Sequence, residues 1–360
     1  MEGLHVFEQM TIQSKSGPYD VTFELGLLGN IIDTIEGITH FLVDSNVAKL
    51  YKESLNNVLK NPNTLIIEAV EENKSIENII PLIENLVKNK VRRNHVLVAI
   101  GGGIVQDITC FIASTLLRGL EWRFLPTTLL AQADSCIGSK SSINLGSIKN
   151  ILGTFNPPKH IWIWPNFLKT LDKKDLQSGI GEILKVHAIE GIEAFNQVKK
   201  DFDNLILDHE LLLYYIQKSL KIKKHYIEID EFDKNIRNIF NYGHSFGHAI
   251  ESATDFVIPH GVAVSIGMDM ANHISVSQGL ISEKSCKLMH NVLQKNYEDF
   301  RNVSIPTEKM LTALKKDKKN TDKELTLILP TGESAEIKRI KVVPDERFRN
   351  QCDHFIKQII

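Results

Sequence analysis

Residues 96–107 read VLVAIGGGIVQD, an apolar run that ends in three glycines and continues into a segment with helical spacing. A strand, a glycine turn and a helix in this order let backbone N–H groups approach a pyrophosphate at the helix N-terminus. The segment lacks the GxGxxG spacing, and a tight turn needs glycine for backbone reasons alone. The stretch therefore predicts one unit of a parallel α/β sheet. Its three glycines form either a dinucleotide site or a plain tight turn.

The first half of the chain repeats this alternation of short apolar runs and amphipathic stretches. The runs are FLVDS (41–45), TLIIEAV (64–70), HVLVAIGGG (95–103), EWRFLPTT (121–128) and HIWIWP (160–165). Strands that alternate with helices form a parallel sheet with helices packed on its faces. We predict an N-terminal Rossmann-like α/β domain over residues 1–176. Asp44, at the end of its first run, would either contact a ribose or adenine or cap a helix.

From about Gln177 the pattern changes to helical spacing punctuated by Gly or Pro. The helical stretches are GIGEILKVHAIEGIEAF (179–195), HELLLYYIQKSLKIKKHYIEI (209–229), NYGHSFGHAIESA (241–253) and HGVAVSIGMDMANHISVSQG (260–279). Near the end, ELTLILPTGESAEIKRI (324–340) predicts a short hairpin. Residues 177–360 are therefore predicted to form a mainly α-helical C-terminal domain.

The composition is that of a globular protein that binds a small molecule. Of 360 residues, 42% are hydrophobic and 24% charged, and the formal net charge is -2. Because no long block of either charge occurs, no nucleic-acid or membrane surface is expected. No apolar run approaches the ~18 to 20 residues of a membrane span. Four scattered cysteines without a CxxC, and an N-terminus without signal-peptide features, predict a reduced, cytoplasmic protein.

Three segments carry side chains suited to catalysis or metal binding. RNIFNYGHSFGHAIE (237–251) places His244 and His248 on one helix face, a spacing that fits one metal ion and also fits core or surface histidines. PTTLLAQADSCIGSKSSINLGSIKN (126–150) has no clean period, which fits either a functional loop or a surface loop with solvated lysines. GIGEILK sets Glu182 and Lys185 on one helix face, and PHG sets His260 at a helix start.

These pieces in this order resemble 3-dehydroquinate synthase and its relatives, the sugar phosphate cyclases. The motifs that carry the resemblance span most of the chain: GGGIVQD, LLRG, PTTLLAQADSCIGSK, KN, FLKTL, GIGEILK, RNIFNYGHSFGHAIE and PHG. Their combination is specific, although each motif alone is not. The resemblance implies a Rossmann-like NAD domain followed by a helical metal domain, a homodimer, and a reaction that uses NAD with zinc, cobalt or a similar divalent ion.

The resemblance also implies a ligand set that differs from the pairing suggested by spacing. The metal ligands would be Glu182, His244 and His260, while His248 would face the substrate phosphate instead. Three protein ligands leave the ion open for substrate oxygens, as a catalytic zinc site requires. The implied NAD contacts are Asp44, Glu71, Lys74, Gly102, Gly103, Ile104, Asp107, Thr127, Thr128, Lys140, Lys149, Phe167 and Thr170.

The implied substrate is 3-deoxy-D-arabino-heptulosonate 7-phosphate, whose carboxylate and phosphate carry roughly three negative charges near neutral pH. Arg237 and Lys223 would help to hold the carboxylate, and a second set, including Arg118 from the neighbouring subunit, would serve mainly the phosphate. Fixed cations and amides of this kind hold the two ends of a substrate. The implied substrate and catalytic positions are Arg118, Asp134, Lys140, Asn150, Lys185, Lys223, Arg237, Asn241, His248 and one of Lys318 and Lys319.

The implied activity is that of a phosphorus–oxygen lyase of the shikimate pathway, which serves aromatic amino acid biosynthesis. In such a reaction NAD transiently oxidises the substrate, which acidifies a neighbouring C–H and allows phosphate to leave. The hydride then returns, and an intramolecular aldol reaction closes the carbocycle. The protein mainly positions the substrate and neutralises its charge, while the cofactor and the substrate carry the difficult steps.

Two departures from the family pattern bear on this interpretation. Val262 replaces a carboxylate two residues after His260, and GSKSS has Ser139 and Ser141 where GGKT is usual. The first departure is expected to change the groups that orient the metal ligands, and the second to alter the wall of the site.

Three alternatives stay open. A sister cyclase would act on sedoheptulose 7-phosphate or an amino analogue, but relatives that lack a substrate carboxylate tend to change the positions of Arg237, Asn241 and His248. A metal-dependent polyol dehydrogenase of the same general fold would need fewer cations and would release NADH. A non-catalytic paralogue would bind only a nucleotide or an anion, and the full set of metal and substrate residues argues against it.

Overall fold

The computed structural model describes residues 9–146, 148–316 and 324–359. Contacts divide the chain into two compact units, an α/β unit of Met1–Leu171 with Lys223–Asp233 and a helical unit of Asp172–Ile222 with Lys234–Ile360. The segment 223–233, which the predicted boundary at 176/177 assigns to the helical domain, thus packs with the α/β unit.

The α/β unit is built on a seven-stranded sheet. Its strands are β1 (Gln9–Ile12), β2 (Tyr19–Phe23), β3 (Thr39–Asp44), β4 (Thr64–Ile67), β5 (Val96–Gly101), β6 (Glu121–Pro126) and β9 (His160–Ile163). Between β6 and β9 the chain forms a separate hairpin of β7 (Lys140–Leu145) and β8 (Ile148–Phe155). The strand order is β1-β2-β9-β6-β5-β3-β4. All neighbouring strands are parallel except β1, which pairs antiparallel with β2 at the edge. The predicted parallel α/β sheet is confirmed, with one antiparallel edge strand added.

Helices cover this sheet because its central strands are apolar on both sides. Every residue of β3 and β5 is buried, as expected for strands packed on both faces. The helices are α1 (Leu28–Asp33), α2 (Ser45–Leu50), α3 (Asn56–Leu59), α4 (Ile76–Lys88) and α5 (Gly103–Thr115). One core cluster includes Phe41, Val98, Ile100, Trp164 and Phe167. This core fixes the carboxyl ends of the central strands, where the glycine turn lies.

The segment 126–150, which has no clean period in the sequence, is more ordered than a surface loop. It starts at the last residue of β6, contains a π-helical turn at Ala131–Ser135 and continues into β7, which pairs antiparallel with β8. Three central β7 residues are buried, whereas β8 is largely exposed. A hairpin with one covered strand shows no simple alternation, which explains why the sequence did not predict it.

The helical unit confirms the predicted mainly α-helical second half. Its helices are α6 (Lys173–Glu190), α7 (Ile192–Asp201), α8 (His209–Ile229), α9 (His244–Ala253), α10 (His260–Ser277), α11 (Glu283–Tyr297), α12 (Thr307–Lys315) and α13 (Glu346–His354). The last part of α8, from Lys223 onward, belongs to the α/β unit. The predicted hairpin forms from β10 (Leu325–Thr331) and β11 (Glu336–Val342). α10 is buried along nearly its whole length, which is typical of the central helix of a bundle. In the parts of the chain that the structure describes, no helix combines the length and apolar character needed to cross a bilayer.

A buried histidine on α6 predicts how stability depends on pH. His187 is fully buried, its Nδ1–H donates to Ile183 O at 2.8 Å, and burial lowers its pKa from 6.5 to about 4. Between these two values the unfolded chain takes up a proton that the folded chain does not, so stability falls as pH falls. We expect a loss of about 2 to 3 kcal/mol from this group between pH 6.5 and pH 4.

The measurement is the melting temperature at pH 7 and pH 5 for the wild type and His187→Gln. The variant should lose less stability on acidification, because glutamine does not titrate. His209→Gln, at an exposed position at the start of α8, is the matched control and should behave as the wild type. An equal acid sensitivity of His187→Gln and the wild type would contradict the prediction.

Candidate active site

The three predicted metal ligands each stand next to a glycine at a helix contact. Gly181 precedes Glu182 on α6, and a Cβ atom there would lie 2.0 Å from Gly261 O. Gly261 follows His260 on α10, and its Cβ would lie 1.8 Å from Ser178 O. Since no real Cβ tolerates such distances, only glycine lets α6 and α10 approach this closely. This approach brings Glu182 and His260 together.

A close contact at glycines also positions His244 at the start of α9. Gly243, which precedes it, has a φ of 77° in the left-handed region, where glycine is strongly favoured. Across the contact on α10, a Cβ at Gly267 would lie 2.1 Å from Gly243 O. α9 and α10 thus pack backbone to backbone, which brings His244 beside His260, with their ring centroids 5.2 Å apart.

The donor atoms of these three residues fit one divalent ion. Glu182 Oε1 lies 3.3 Å from His260 Nε2 and 3.7 Å from His244 Nε2. Two donors that share a tetrahedral ion, each at about 2.0 to 2.2 Å, are separated by about 3.3 to 3.6 Å. One carboxylate and two imidazoles form a donor set suited to zinc or cobalt, with a position left for a substrate oxygen.

His248 remains geometrically close to the same point. The donor atoms of His244, His248 and His260 lie within 4.8 Å of one another, and the ring centroids of His244 and His248 are 5.3 Å apart. The i,i+4 pair therefore shares one helix face as the spacing predicts. Glu182 Oε1 also contacts two of these histidines, and the ligand set of Glu182, His244 and His260 stays a prediction.

The electrostatics of this cluster suit a cation. Burial, followed by the Lys185 ammonium and the neighbouring imidazoles, lowers the pKa of His244 well below its usual value, which leaves it neutral. Burial also acts to lower the pKa of His260, but the carboxylates of Glu251 and Glu182 outweigh it and raise the pKa to about 10. The pocket between Glu182 and Glu251 thus stabilises positive charge, and neutral imidazole with ionised carboxylate is the state that binds metal.

Other predicted substrate residues of the helical unit lie on α6 and on the turn that precedes α9. Lys185 Nζ is 2.5 Å from Glu182 Oε2, and both side chains are almost fully buried. Arg237 and Asn241 lie on one 3-10 turn, Ile236–Asn241, in which Arg237 is buried. Val262, the departure from the family pattern, is fully buried. The predicted residues Lys318 and Lys319 lie outside the described residues.

In the α/β unit the predicted nucleotide residues gather at the carboxyl ends of neighbouring parallel strands. Asp44 ends β3, the turn Glu71–Lys74 follows β4, Gly102 follows β5, and Thr127 follows β6. In the strand order, β4 lies on one side of β3, and β5 followed by β6 lies on the other. The connection that leaves β3 and the connection that leaves β5 therefore run in opposite directions, and a cleft forms between these two strands. Ligands of open α/β sheets bind at such a switch point. The first turn of α5, with Gly103 and Ile104, opens there.

The glycine turn at this point has room for a ligand. A Cβ at Gly102 would lie 2.9 Å from Thr128 Cγ2, whereas a Cβ at Gly103 would meet nothing within 4 Å. Open space at the first residue of a helix is where a phosphate approaches backbone N–H groups. The helix-cap alternative for Asp44 is also realised, since its carboxylate accepts a hydrogen bond from Asn46 N at 2.7 Å. The backbone of Val47 also hydrogen-bonds to this carboxylate, so the cap involves two backbone donors.

Lys74 joins three of the predicted residues into one polar network. Its ammonium donates to Asp107 Oδ2 at 3.2 Å and Asn150 Oδ1 at 2.9 Å, and it lies 3.6 Å from Glu71 Oε1. Burial raises the pKa of Asp107 to about 6, against the opposing effect of the Lys74 charge. The network ties the turn after β4 to α5 and the β7–β8 hairpin. Asn144, which donates to Glu71 Oε1 at 2.9 Å, belongs to it and was not predicted.

A second polar group of this unit surrounds the π-helical turn. Lys223 Nζ lies 2.5 Å from Asp134 Oδ1 and donates to Asp134 O at 2.6 Å, and Lys140 pairs with Asp233. The sequence did not single out Asp233, since a carboxylate in a short acidic run carries no signal of its distant partner. It also missed Gln106, whose amide donates to Ser135 O at 2.6 Å and so braces the turn that carries Asp134.

The remaining predicted residues are less closely grouped. Lys149 and Arg118 are exposed, while Phe167 is 1% exposed and packs in the core cluster. Thr170 Oγ1 is 2.9 Å from the Tyr51 hydroxyl. Of the serine departures, Ser141 Oγ is 2.7 Å from Thr154 Oγ1, within the β7–β8 hairpin.

Comparison with known protein families covers most of the chain. Residues 64–178 match the family described as 3-dehydroquinate synthase N-terminal, and residues 179–320 match the family described as 3-dehydroquinate synthase C-terminal. A 3-dehydroquinate synthase of Prochlorococcus marinus (strain MIT 9215) is 38% identical over 328 residues, which span 87% of this chain and 90% of the relative.

Two solved structures share the fold. ValA, a 2-epi-5-epi-valiolone synthase from Streptomyces hygroscopicus subsp. jinggangensis 5008 with NAD+ and Zn2+ bound, superposes with a TM-score of 0.83 at 25% identity, covering 95% of this chain and 97% of that one. A 2-deoxy-scyllo-inosose synthase in complex with carbaglucose-6-phosphate, NAD+ and Co2+ gives a TM-score of 0.82 at 21% identity, covering 97% and 99%.

Proposed function

The chain belongs to the 3-dehydroquinate synthase family, and on that basis we propose that it converts 3-deoxy-D-arabino-heptulosonate 7-phosphate to 3-dehydroquinate and phosphate. The observation that carries the proposal is the convergence of Glu182, His244 and His260 on one point. A carbocycle-forming lyase of this kind uses NAD and a divalent ion. The sequence-based prediction of the family and of its type of activity is confirmed by the family match.

The proposed metal site consists of Glu182, His244 and His260, and the ion bound there would lower the pKa of a substrate hydroxyl. Lys185, which is paired with Glu182 Oε2 at 2.5 Å, holds that carboxylate in place. His248 stands beside both ligand histidines, with ring centroids 5.3 Å and 5.5 Å away. In its protonated state it would bind a phosphate oxygen.

NAD would be held by the glycine turn at Gly102 and Gly103, with the Glu71–Lys74 turn and Asp44 beside it, and would accept and return one hydride per turnover. In the same unit, the ion pair with Lys223 holds the Asp134 carboxylate in place, where it would accept a hydrogen bond from a substrate hydroxyl. The buried Lys74–Asp107 pair keeps the turn after β4 fixed against α5. These residues orient rather than react.

The proposed substrate carries about three negative charges, and three of the lysines proposed to contact it are each held by a carboxylate of their own unit. Lys140, Lys185 and Lys223 each sit against one carboxylate, of Asp233, Glu182 and Asp134 respectively. A lysine that is already ordered by a carboxylate loses less conformational entropy when an anionic substrate arrives. Arg237, buried on its turn, offers a planar donor fork that suits a carboxylate.

The decisive assay incubates the purified protein with NAD, Zn2+ or Co2+, and each candidate seven-carbon phosphate. We expect phosphate release and a cyclic product, identified by mass spectrometry, from the carboxylated sugar. NADH should not accumulate, because the hydride is returned within each turnover. Stoichiometric NADH would identify a polyol dehydrogenase, and a preference for sedoheptulose 7-phosphate would identify a sister cyclase.

Arg237→Met tests the proposed carboxylate contact. Loss of one charge-assisted contact should lower kcat/KM for the carboxylated sugar about 10-fold to 150-fold. Against sedoheptulose 7-phosphate the change should matter much less, because no carboxylate would lose a partner. Phosphate release by the wild type and the variant is compared on both substrates, and equal losses on the two would refute the carboxylate assignment.

We also propose that the protein works as a homodimer in which Arg118 serves the neighbouring subunit. Arg118 is exposed on a turn where Leu117 and Arg118 both have positive φ, 53° and 65°, a strained geometry typical of functional positions. β8 exposes Ile148, Ile151 and Phe155, and such an apolar edge strand favours pairing with another chain. Sedimentation equilibrium should give twice the chain mass of 40.7 kDa, whereas a monomer would contradict this arrangement.

The proposed reaction belongs to aromatic amino acid biosynthesis in the cytoplasm. All four cysteines are free thiols, and three of them are buried. Reduced cysteines of this kind are typical of a reducing compartment.

A further inference from the structure

Glu251 links two of the helices that form the proposed metal site. It lies on α9, two helical turns after His244, and its Oε2 is 3.2 Å from His260 Nδ1 at the start of α10. The Glu251 side chain is only 12% exposed. This buried carboxylate is not among the predicted metal, substrate or cofactor residues.

The contact determines which nitrogen of His260 is free to bind a cation. A neutral imidazole carries one proton, and the nitrogen that donates to a carboxylate is the one that keeps it. When a cation takes the place of the proton on Nε2, Nδ1–H still donates to Glu251, and the Nε2 lone pair is directed to the side where Glu182 Oε1 lies, 3.3 Å away. The ring orientation is fixed at the same time, because a carboxylate lies at each of the two nitrogens.

We propose that Glu251 is a positioning residue that sets the tautomer and orientation of His260 for metal binding. The inference rests on the proposed metal site and deepens it. Residue 262, from which the resemblance leads one to expect a carboxylate, is a fully buried valine and supplies none. Glu251 reaches His260 from the neighbouring helix instead, and a ligand histidine whose second nitrogen donates to a carboxylate is a more basic and better oriented ligand.

The test is the affinity of the purified apoprotein for Co2+, measured by competition with a chromophoric chelator, together with the visible absorption spectrum of the bound ion. Glu251→Ala should weaken Co2+ binding about 10-fold to 100-fold and change the spectrum. Glu251→Gln, which keeps an acceptor oxygen but not the charge, should lie between Glu251→Ala and the wild type. If Glu251→Ala does not fold, the comparison of Glu251→Gln with the wild type decides the question.

Asp269→Asn provides a matched control in the same unit. Asp269 on α10 accepts a hydrogen bond from His290 Nδ1 at 2.7 Å and from the Tyr297 hydroxyl at 2.5 Å, so it is also a buried carboxylate paired with a histidine. Its variant should lower the melting temperature and leave Co2+ affinity and spectrum unchanged.

The outcomes separate this inference from the proposed function. Weaker Co2+ binding in the Glu251 variants alone supports the positioning role. Wild-type affinity in both Glu251 variants overturns it while leaving the metal site intact, and equal losses in the Glu251 and Asp269 variants overturn it in favour of a merely structural contact. A wild-type protein that binds no Co2+ overturns the metal site itself, and the inference with it.

Discussion

Gly261→Ala is expected to destabilise the helical unit by about 3 kcal/mol or more and to abolish metal binding. A Cβ at this position would lie 1.8 Å from Ser178 O and 2.6 Å from Ser178 C. These are backbone atoms of α6, which no rotamer change removes, so α6 and α10 must separate. Their separation would also move Glu182 away from His260. The melting temperature and the Co2+ affinity of the variant measure the two effects.

Gly29→Ala is the matched control for this substitution. Gly29 lies in α1, and a Cβ there would meet nothing within 4 Å. Alanine at such a helical position should leave stability unchanged or raise it by up to about 1 kcal/mol. If Gly261→Ala melts as the wild type does and binds Co2+ normally, the close backbone approach of α6 and α10 does not control the site.

Glu182→Gln is expected to remove metal binding and to lower kcat/KM about 1,000-fold or more. A bound metal contributes several kcal/mol to the stabilisation of charge in the transition state, and each 1.36 kcal/mol changes the rate tenfold. Glutamine keeps the shape but not the charge of a side chain that is 1% exposed and lies 3.3 Å from His260 Nε2. Co2+ affinity and phosphate release should therefore fall together.

Glu190→Gln, at the exposed end of the same helix, should retain wild-type affinity and activity. Full activity of Glu182→Gln in excess chelator would remove Glu182 from the proposed ligand set. In that case the alternative group of His244, His248 and His260, whose donor atoms also lie close together, would be the one to test.

Local patterns in the sequence determined the class of fold and the position of most elements. The stretch 209–229 forms α8 with the same bounds, and the apolar runs at 41–45 and 95–103 lie over β3 and β5. The helix is recognisable from its 3.6-residue periodicity, and the strands are recognisable as short continuous apolar runs, because both of their faces are buried. The motifs also identified the family, because their residues can be recognised in the sequence without knowing how the chain folds, and their combination is specific.

Only the tertiary structure decided which charged groups meet. The partners of Lys140 and His260 are Asp233 and Glu251, and neither carboxylate stood out, because a carboxylate on one segment carries no local mark of a partner on another. The i,i+4 spacing of His244 and His248 suggested a pair on one helix. The proposed site instead draws Glu182 from a different helix, since glycines at the crossings let helix backbones approach within distances that any side chain would prevent.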